Sequence, residues 1–332
     1  MAQPDLATPV LVTGGAGYIG SHVVLALIEA GYQAVVMDDL STGEKRVVPP
    51  DIPLEIGDVG DRDRVSAVLQ RYGCDSVMHF AGSIIVSESM REPLKYYANN
   101  TVASRNLIEC CVANGVTDFV FSSSAAVYGA PETLPIAESS RLDPISPYGA
   151  SKLMTERMLN DVAAVSDLRV ALLRYFNVAG ADPKGRAGQV GPNSTHLIKI
   201  AAELIAGYRE KIEIFGVDYD TPDGTCVRDF THVSDLATAH VLALQHLRKE
   251  RRNVTLNCGY GHGFSVREIL AAVSRVSGQA LNVDEAPRRV GDAPQLISET
   301  SKIREVLNWR PRYDDIDIII QSSIDWERAK AG

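Results

Sequence analysis

The fold is decided by one stretch near the start of the chain, Thr13-Gly14-Gly15-Ala16-Gly17-Tyr18-Ile19-Gly20. It follows a short apolar run, Val10–Val12, and precedes a helix-like stretch from Ser21 to Ala30. Glycine tolerates positive φ and has no Cβ to obstruct a ligand, and a helix N-terminus offers free N–H groups and a partial positive charge. A strand, a glycine turn and a helix in this order predict a binding site for the pyrophosphate of a dinucleotide.

An acidic residue ends the next predicted strand, where Asp38 follows the apolar run Ala34–Met37. A carboxylate there would accept hydrogen bonds from a ribose 2′-OH and repel a 2′-phosphate, which favours NAD over NADP. The neighbouring Asp39 strengthens that preference. Asp58 is a candidate contact to the adenine, although a plain loop aspartate explains it equally well.

Further apolar runs continue the pattern at 77–80, 119–121 and 170–173. Continuous apolar strands separated by helices are typical of a parallel sheet covered on both faces. Right-handed crossovers then give a Rossmann-like, doubly wound α/β fold. The ligand cleft is expected beyond the carboxyl ends of the strands, which the glycine turn and Asp38 both follow.

The sequence changes character near Gly180. Segments typical of loops lie at 181–195, 216–225 and 285–294, and helical stretches lie at 197–206 and 266–276. We therefore predict an NAD-binding Rossmann domain over residues 1–178 and a smaller C-terminal substrate-binding domain over 179–332. Some segments of the second half, for example around 228–245, are expected to return to the first domain.

A tyrosine and a lysine lie one helical turn apart in Ser146-Pro147-Tyr148-Gly149-Ala150-Ser151-Lys152. Ser146 is a good N-cap and Pro147 a good first helical residue, so Tyr148 and Lys152 are predicted on one face of a helix. A free phenol has a pKa of about 10, but a nearby ammonium and a cationic nicotinamide ring both favour the phenolate. This pair alone is a weak signal. With the glycine turn it predicts a tyrosine that moves a proton beside a nicotinamide.

Three serines, Ser122 to Ser124, end a predicted strand on the cleft side. A hydroxyl there can bond the substrate oxygen that gains or loses its proton. We choose Ser124 for this role because it lies farthest past the strand. The Ser122 hydroxyl is expected to serve loop amides.

Composition disfavours several classes of function. The 332 residues carry a formal net charge of −9, which makes a nucleic-acid partner unlikely. No apolar run approaches the roughly 18 residues needed to cross a bilayer, and Met1–Pro9 lacks the features of a signal peptide. The five cysteines are odd in number and irregularly spaced, which favours reduced thiols in a cytoplasm over disulfides or a metal site.

Several motifs together resemble the extended short-chain dehydrogenase/reductase superfamily, and within it the UDP-sugar 4-epimerases, over nearly the whole chain. The superfamily motifs are the glycine turn, His79–Gly82, Tyr96–Asn100, Ser122–Gly129 and Ser146–Leu153. Those more specific for nucleotide-sugar members are Leu173–Asn177, Val227–Val233 and Pro287–Asp292. The resemblance implies tightly held NAD that is not consumed and a UDP-sugar substrate. Sugar C4 would pass hydride to NAD and take it back on the other face.

The resemblance also implies roles for individual residues. Tyr148, Ser124 and Lys152 would be catalytic, with Tyr148 taking the proton from the sugar 4-OH. Residues implied to hold the cofactor are Gly14, Gly17, Tyr18, Ile19, Gly20, Asp38, Asp58, Phe80, Ala81, Gly82, Asn99, Ser122, Tyr148, Lys152 and Tyr175. Residues implied to hold the substrate are Ser124, Tyr148, Asn177, His196, Leu197, Phe215, Arg228, Arg289 and Asp292. Asn177 and the two arginines would bind the diphosphate, and Asp292 the uridine ribose.

Some positions depart from the pattern. Ala126 stands where threonine is common, and Ile84 lies in a segment where lysine is common. Leu296 stands where side-chain bulk limits larger N-acetylated sugars. The leading expectation is interconversion of UDP-glucose and UDP-galactose, with UDP-N-acetylglucosamine or a UDP-pentose as the alternative substrate.

Two functions other than epimerisation stay open. A nucleotide-sugar 4,6-dehydratase would need an acid and a base where Ala125 and Ala126 stand. A catalytically silent NAD-sensing protein usually lacks the tyrosine or the lysine. A homodimer through helices near Leu94–Ala113 and Tyr148–Val162 is common in the resembling proteins and is expected here.

Overall fold

The structure is a computed structural model that describes residues 8–191, 194–289 and 291–330. The strands are β1 (Val10–Thr13), β2 (Ala34–Asp38), β3 (Leu54–Ile56), β4 (Ser76–His79), β5 (Asp118–Ser124), β6 (Arg169–Tyr175), β7 (Asn177–Ala179), β8 (Ile212–Phe215), β9 (Val227–Arg228), β10 (Phe230–His232), β11 (Val254–Cys258), β12 (Phe264–Ser265), β13 (Val283–Ala286) and β14 (Gln295–Leu296). The helices are α1 (Tyr18–Glu29), α2 (Arg62–Tyr72), α3 (Val86–Ser89), α4 (Pro93–Tyr96), α5 (Ala103–Ala113), α6 (Pro147–Ala163), α7 (Leu197–Ile205), α8 (Val233–Glu250), α9 (Val266–Ser277), α10 (Ser301–Leu307) and α11 (Ile316–Ala329). Shorter 3-10 or π-helical segments lie at Lys45–Val47, Tyr97–Val102 and Ala125–Tyr128.

Seven strands form one parallel sheet in the order β11-β6-β5-β4-β1-β2-β3. Strands β1, β2 and β4 are buried at every position because helices cover both faces. Adjacent residues enter opposite cores: Val10 and Val12 pack in the core that holds α1 and α8, and Leu11 packs in the core that holds α2 and α5. The predicted doubly wound α/β fold is confirmed.

The parallel sheet brings the predicted motifs to one edge. The glycine turn follows β1, Asp38 ends β2, and Phe80 to Gly82 follow β4. Ser124 ends β5 directly opposite Tyr175 at the end of β6. These residues share an edge because parallel strands in register end together.

The sequence does not predict the edge strands β3 and β11 or the helix α8. Strand β3 has only three residues, and β11 mixes polar with apolar residues, so neither forms a long apolar run. Helix α8 packs on α1 and on β5 and β6, and β11 extends the sheet beside β6. Residues 233–258 therefore belong to the layers of the large sheet, and the domain boundary at 178/179 stays a prediction.

The second half supplies small pairings around the cleft: β7 with β10, β8 with β13, and β9 with β12 and β14. The loops predicted at 181–195 and 216–225 hold no helix or strand in the residues described. The loop predicted from residue 285 is wrong for Glu285 and Ala286, because pairing with β8 draws them into β13. Pro192, Asn193 and Val290 of the predicted loops lie outside the described residues. Among the described helices, none is long and apolar enough to cross a membrane.

Candidate active site

The turn after β1 is shaped by its glycines. Gly14 has φ +71°, and a Cβ built there would lie 2.5 Å from the backbone nitrogen of Ala81. A Cβ on Gly20 would collide with the carbonyl of Gly14. Helix α1 begins at Tyr18, three residues earlier than predicted, and Gly17 caps it without a side-chain hydrogen bond. The turn therefore presents backbone and the N-terminus of a twelve-residue helix to any ligand above it, which suits a pyrophosphate.

Asp38 has a structural task that the sequence does not reveal. Its Oδ2 accepts a hydrogen bond from Ala16 N at 2.9 Å, and its Oδ1 accepts one from Leu40 N at 2.9 Å. Burial raises the pKa of this carboxyl, and the two backbone donors oppose that effect. Asp38 thus braces the glycine turn as well as standing where a ribose would lie.

The remaining predicted cofactor residues lie around the same strand ends. Tyr18 donates its phenolic hydrogen bond to Gly180 O at 2.7 Å, so a cofactor contact from Tyr18 would come from its backbone. Asp58 is exposed and accepts a hydrogen bond from Gly60 N at 2.7 Å. Asn99 is exposed and donates to Ser83 Oγ at 3.1 Å.

A buried neighbour of Asn99 holds the loop after Gly82 in place. The side chain of Asn100 accepts a hydrogen bond from Ser83 N, and it donates to Ser83 O and to Ser151 Oγ. It therefore connects the loop after β4 to helix α6. Sequence reasoning missed this role, because adjacent asparagines in a helical segment give no sign of which one is buried.

Tyr148 and Lys152 lie on α6 as predicted. The helix begins at Pro147, and the Ser146 hydroxyl caps it by accepting a hydrogen bond from Gly149 N at 3.2 Å. Both functional side chains are buried, and the Lys152 Nζ donates to Ser122 O at 3.0 Å. The helix thereby sets both groups against the end of β5.

Burial dominates the protonation of this pair. It raises the pKa of the Tyr148 phenol, and a hydrogen bond with Ser124 opposes the rise. Burial lowers the pKa of Lys152 to about 8, and the Glu156 carboxylate works against that shift. The expectation that the lysine and a cationic nicotinamide together favour the phenolate stays a prediction.

The serines at the end of β5 divide their tasks. Ser124 Oγ accepts a hydrogen bond from Ala126 N at 3.2 Å and lies in hydrogen-bonding contact with Tyr148. The Ser122 hydroxyl is hydrogen-bonded to the Tyr175 hydroxyl at 2.7 Å. The expectation that Ser122 serves loop amides is therefore wrong, because the parallel pairing of β5 with β6 brings the tyrosine beside it.

One cleft of about 690 Å³ joins the tyrosine to the second half of the chain. All nine residues predicted to hold the substrate line it: Ser124, Tyr148, Asn177, His196, Leu197, Phe215, Arg228, Arg289 and Asp292. Ile19 and Tyr175 from the predicted cofactor set line it as well. These residues come from widely separated segments, so the cleft is a product of the tertiary fold.

Two arginines of the cleft contact other groups of the protein. The Arg228 guanidinium lies 3.7 Å from an Asp292 carboxylate oxygen and donates to Val227 O at 2.9 Å. The Arg289 guanidinium lies over the Phe215 ring, 3.6 Å from its centroid. A ligand diphosphate at this end of the cleft would therefore replace contacts that already exist.

His196 reaches the cleft as a neutral side chain. Burial lowers its pKa, and Gln189 Nε2 lies 2.8 Å from its Nδ1. The amide donates to Nδ1 if that nitrogen is unprotonated, which leaves Nε2–H as a donor. The cleft is also lined by Ile84, Val86, Ile145, Phe176, Arg209 and Lys211. Sequence reasoning assigned no substrate role to these residues, because none belongs to a local pattern that signals a ligand.

Comparison with known proteins gives a consistent result. Residues 10–259 match the NAD dependent epimerase/dehydratase family. The chain is 54% identical to the UDP-glucose 4-epimerase of Azospirillum brasilense, over 99% of this chain and 95% of that protein.

Solved structures agree with this comparison. The UDP-glucose 4-epimerase of Brucella ovis in complex with NAD is 42% identical with a TM-score of 0.93, covering 97% of this chain and 99% of that one. The UDP-Glc/GlcNAc 4-epimerase of Campylobacter jejuni is 48% identical with a TM-score of 0.84, covering 97% of this chain and 100% of that one.

Proposed function

The chain belongs to the NAD-dependent epimerase/dehydratase family, and from that premise we propose that it interconverts UDP-glucose and UDP-galactose. The observation that carries the proposal is the single cleft that runs from Tyr148 and Ser124 to Arg228, Arg289 and Asp292. A proton-transfer group stands at one end, and side chains suited to a nucleoside diphosphate stand at the other. The substrate would span the two.

The residues of the first half fit NAD. The glycine turn packs closely on the segment after β4, where a Cβ on Gly14 would collide with Ala81, and the N-terminus of α1 follows the turn directly. Asp38 would receive the adenosine ribose, and Lys152 the nicotinamide ribose. The cofactor, when bound, accepts hydride from the sugar C4 and returns it.

The protein's own part in the reaction is proton transfer and anchoring. Tyr148 would remove the proton of the sugar 4-OH while Ser124 holds that oxygen, and Tyr148 would return the proton after the 4-keto sugar has turned over. Arg228, Arg289 and Asn177 would hold the diphosphate throughout. An anchored nucleotide with a loosely held sugar permits hydride return to the opposite face.

The residues after Ser124 weigh against a dehydratase. Expulsion of the C6 hydroxyl requires an acid and a base beside the sugar, and Ala125 and Ala126 occupy those positions on the segment Ala125–Tyr128. A silent NAD sensor is disfavoured because Tyr148 and Ser124 line one cleft and Lys152, on the same helix as Tyr148, donates to Ser122 O beside them. Epimerisation uses every one of these groups.

We further propose a homodimer in the cytoplasm. Leu94, Val102 and Met154 are exposed apolar residues on α4, the segment Tyr97–Val102 and α6. Thr101 Oγ1 lies 4.0 Å from Met154 Sδ, so the last two of these elements share one surface, which a second copy would cover. All five cysteines are free thiols, which suits a reducing compartment.

The decisive experiment needs no added cofactor. The purified protein is analysed for bound NAD and then supplied with UDP-galactose deuterated at C4. We expect UDP-glucose that retains the deuterium, with no lasting absorbance of reduced nicotinamide. Loss of the label to water, or a need for fresh oxidant in every turnover, would contradict the proposal. A parallel assay with UDP-N-acetylglucosamine shows whether the cleft, which Leu296 lines, also accepts N-acetylated sugars.

A further inference from the structure

Helix α6 carries a third buried functional group that the proposed mechanism does not use. Glu156 lies four residues beyond Lys152 and eight beyond Tyr148, and its side chain is 2% exposed. Ser123 Oγ donates to Glu156 Oε1 at 2.5 Å. Arg174 binds both carboxylate oxygens, with Nε 2.9 Å from Oε1 and Nη2 2.6 Å from Oε2.

These contacts connect the three elements that form the catalytic end of the sheet. Ser123 lies between Ser122, whose carbonyl receives the Lys152 hydrogen bond, and Ser124, which contacts Tyr148. Arg174 precedes Tyr175, whose hydroxyl is bonded to Ser122. A displacement of the Glu156 carboxylate would therefore disturb the segments that hold Ser124, Lys152 and Tyr175.

The network extends beyond these elements. Arg174 Nη1 donates to the Tyr128 hydroxyl at 3.0 Å, and that hydroxyl donates to Asn257 Oδ1 at 2.7 Å. The pair is thus fixed on the segment Ala125–Tyr128 and on β11 as well. A buried carboxylate with this many partners has little freedom to reorient.

The charge of Glu156 matters to Lys152. Titratable groups around Lys152 are Tyr148 and Glu156 on its own helix, His79 from β4, Tyr96 from α4, Tyr128, and Arg174 and Tyr175 from β6. Burial lowers the pKa of His79 to about 3 and raises the pKa of each of these phenols, so all of them are neutral near pH 7. Of these groups, Glu156 and its partner Arg174 carry the charges, and the Glu156 carboxylate raises the pKa of Lys152 against the effect of burial.

We propose that Glu156 is a positioning residue for proton transfer: its carboxylate locks α6 onto β5 and β6 and keeps Lys152 in its ammonium form. The proposal rests on the function proposed above. Burial already lowers the pKa of Lys152 to about 8, so little margin remains at neutral pH. Removing the carboxylate charge also deprives Arg174 of its ion pair and leaves its positive charge uncompensated in the same network. Both changes lower the pKa of Lys152 and therefore disfavour its ammonium form.

The test compares E156Q with a matched control, D118N. Asp118 on β5 and Arg169 on β6 also form a bidentate pair, with distances of 2.8 and 2.7 Å, but at the start of these strands, far from Lys152 along the sheet. Both variants are expected to lose thermal stability. In E156Q alone, the alkaline limb of the pH profile of turnover should move to lower pH by about one unit.

A third variant separates charge from position. E156D keeps the charge but shortens the reach, so its alkaline limb should return towards that of the wild type while its maximal turnover stays low. If E156Q does not fold, E156Q/R174Q leaves no unpaired charge and should shift the limb in the same direction. The proposal is overturned if the alkaline limb does not shift in whichever of E156Q and E156Q/R174Q folds. It is also overturned if D118N shows an equal shift.

A second readout is independent of turnover. When the pH is raised, bound NAD should dissociate at a lower pH in E156Q than in the wild type. The reason is that Lys152 loses its positive charge at a lower pH in the variant. If the wild type fails to convert UDP-galactose, the proposed function is wrong, and this dissociation measurement still decides the role of Glu156. Equal dissociation profiles in wild type and E156Q would then refute it.

Discussion

The cofactor half and the substrate half of the cleft are built in different ways. The cofactor half is a backbone surface: Gly14 lies against Ala81, and Asp38 braces Ala16 and Leu40. The substrate half is a set of long side chains on separate loops. Arg228 and Arg289 already contact Asp292 and Phe215 before any ligand arrives.

This contrast accounts for how firmly each ligand would be held. A preformed backbone cradle loses little conformational entropy when it binds, so its ligand can stay between turnovers. The Arg228 guanidinium must exchange its contact with Asp292 for contacts with the ligand, so the net gain per contact is smaller there. A retained cofactor and an exchangeable UDP-sugar are what an epimerase needs.

The largest effect is expected where the two halves meet. Tyr148→Phe should keep the fold and the bound NAD but lower turnover by roughly 10²–10⁴-fold, because it removes the proton carrier. Tyr96→Phe is the control, since its ring lies 6.4 Å from that of Tyr148 and its hydroxyl serves Glu88 and Ile85. Steady-state kinetics with NAD quantitation checks both. Near-normal turnover in Tyr148→Phe would remove the residue from the mechanism.

The next prediction tests whether the cofactor half is a rigid backbone surface. Gly14→Ala should release NAD and lower the free energy of unfolding by about 1–3 kcal/mol beyond the cost of its positive φ, because the new Cβ meets Ala81. Gly115→Ala is the matched control, with φ +73° and no atom within 4 Å of the added Cβ. Denaturant unfolding and NAD content measure the two effects. Equal losses in both variants would mean that the backbone around Gly14 can shift to accommodate a Cβ.

The third prediction addresses the substrate half. Arg289→Met should weaken binding of UDP by roughly 10–100-fold, the value of a charge-assisted hydrogen bond, while turnover at saturating substrate changes little. Arg288→Met is the control, because its neighbouring guanidinium instead stacks on Tyr219 and pairs with Asp218 at the surface. Calorimetric titration with UDP would show the difference. Similar losses in both variants would indicate a general effect of positive charge.

The smallest effect is expected at Asp38. Asp38→Asn should reduce the preference for NAD over NADP on the order of tenfold, since one charge repulsion is worth about 1.4 kcal/mol. Asn can still accept the bond from Ala16, so the glycine turn should persist. Asp39→Asn is the comparison: that carboxylate is exposed and bonds to Ser41, so its removal should change the ratio less. Reloading of stripped protein with NAD and NADP in competition measures the ratio, and an unchanged ratio for Asp38→Asn would exclude its assignment.

The fold could be predicted mainly where the chain is locally regular. The buried strands β1, β2 and β4 form uninterrupted apolar runs, and α6 has both a serine cap and a proline at its start. The edge strand β11 gives no comparable local signal, because pairing with the distant strand β6 stabilises it. Likewise, nothing near Glu156 indicates that Arg174 will pair with it.

The sequence by itself determined the cofactor turn and the Tyr148–Lys152 spacing, because each depends on residues close in the chain, and its apolar runs predicted a parallel sheet. Only the tertiary structure decided which serine faces Tyr175, which carboxylate steadies Lys152, and how Arg228, Arg289 and Asp292 reach one cleft. Those arrangements depend on burial and on partners far apart in sequence. No local pattern records such partners, since the energy of a buried charge is set by everything around it.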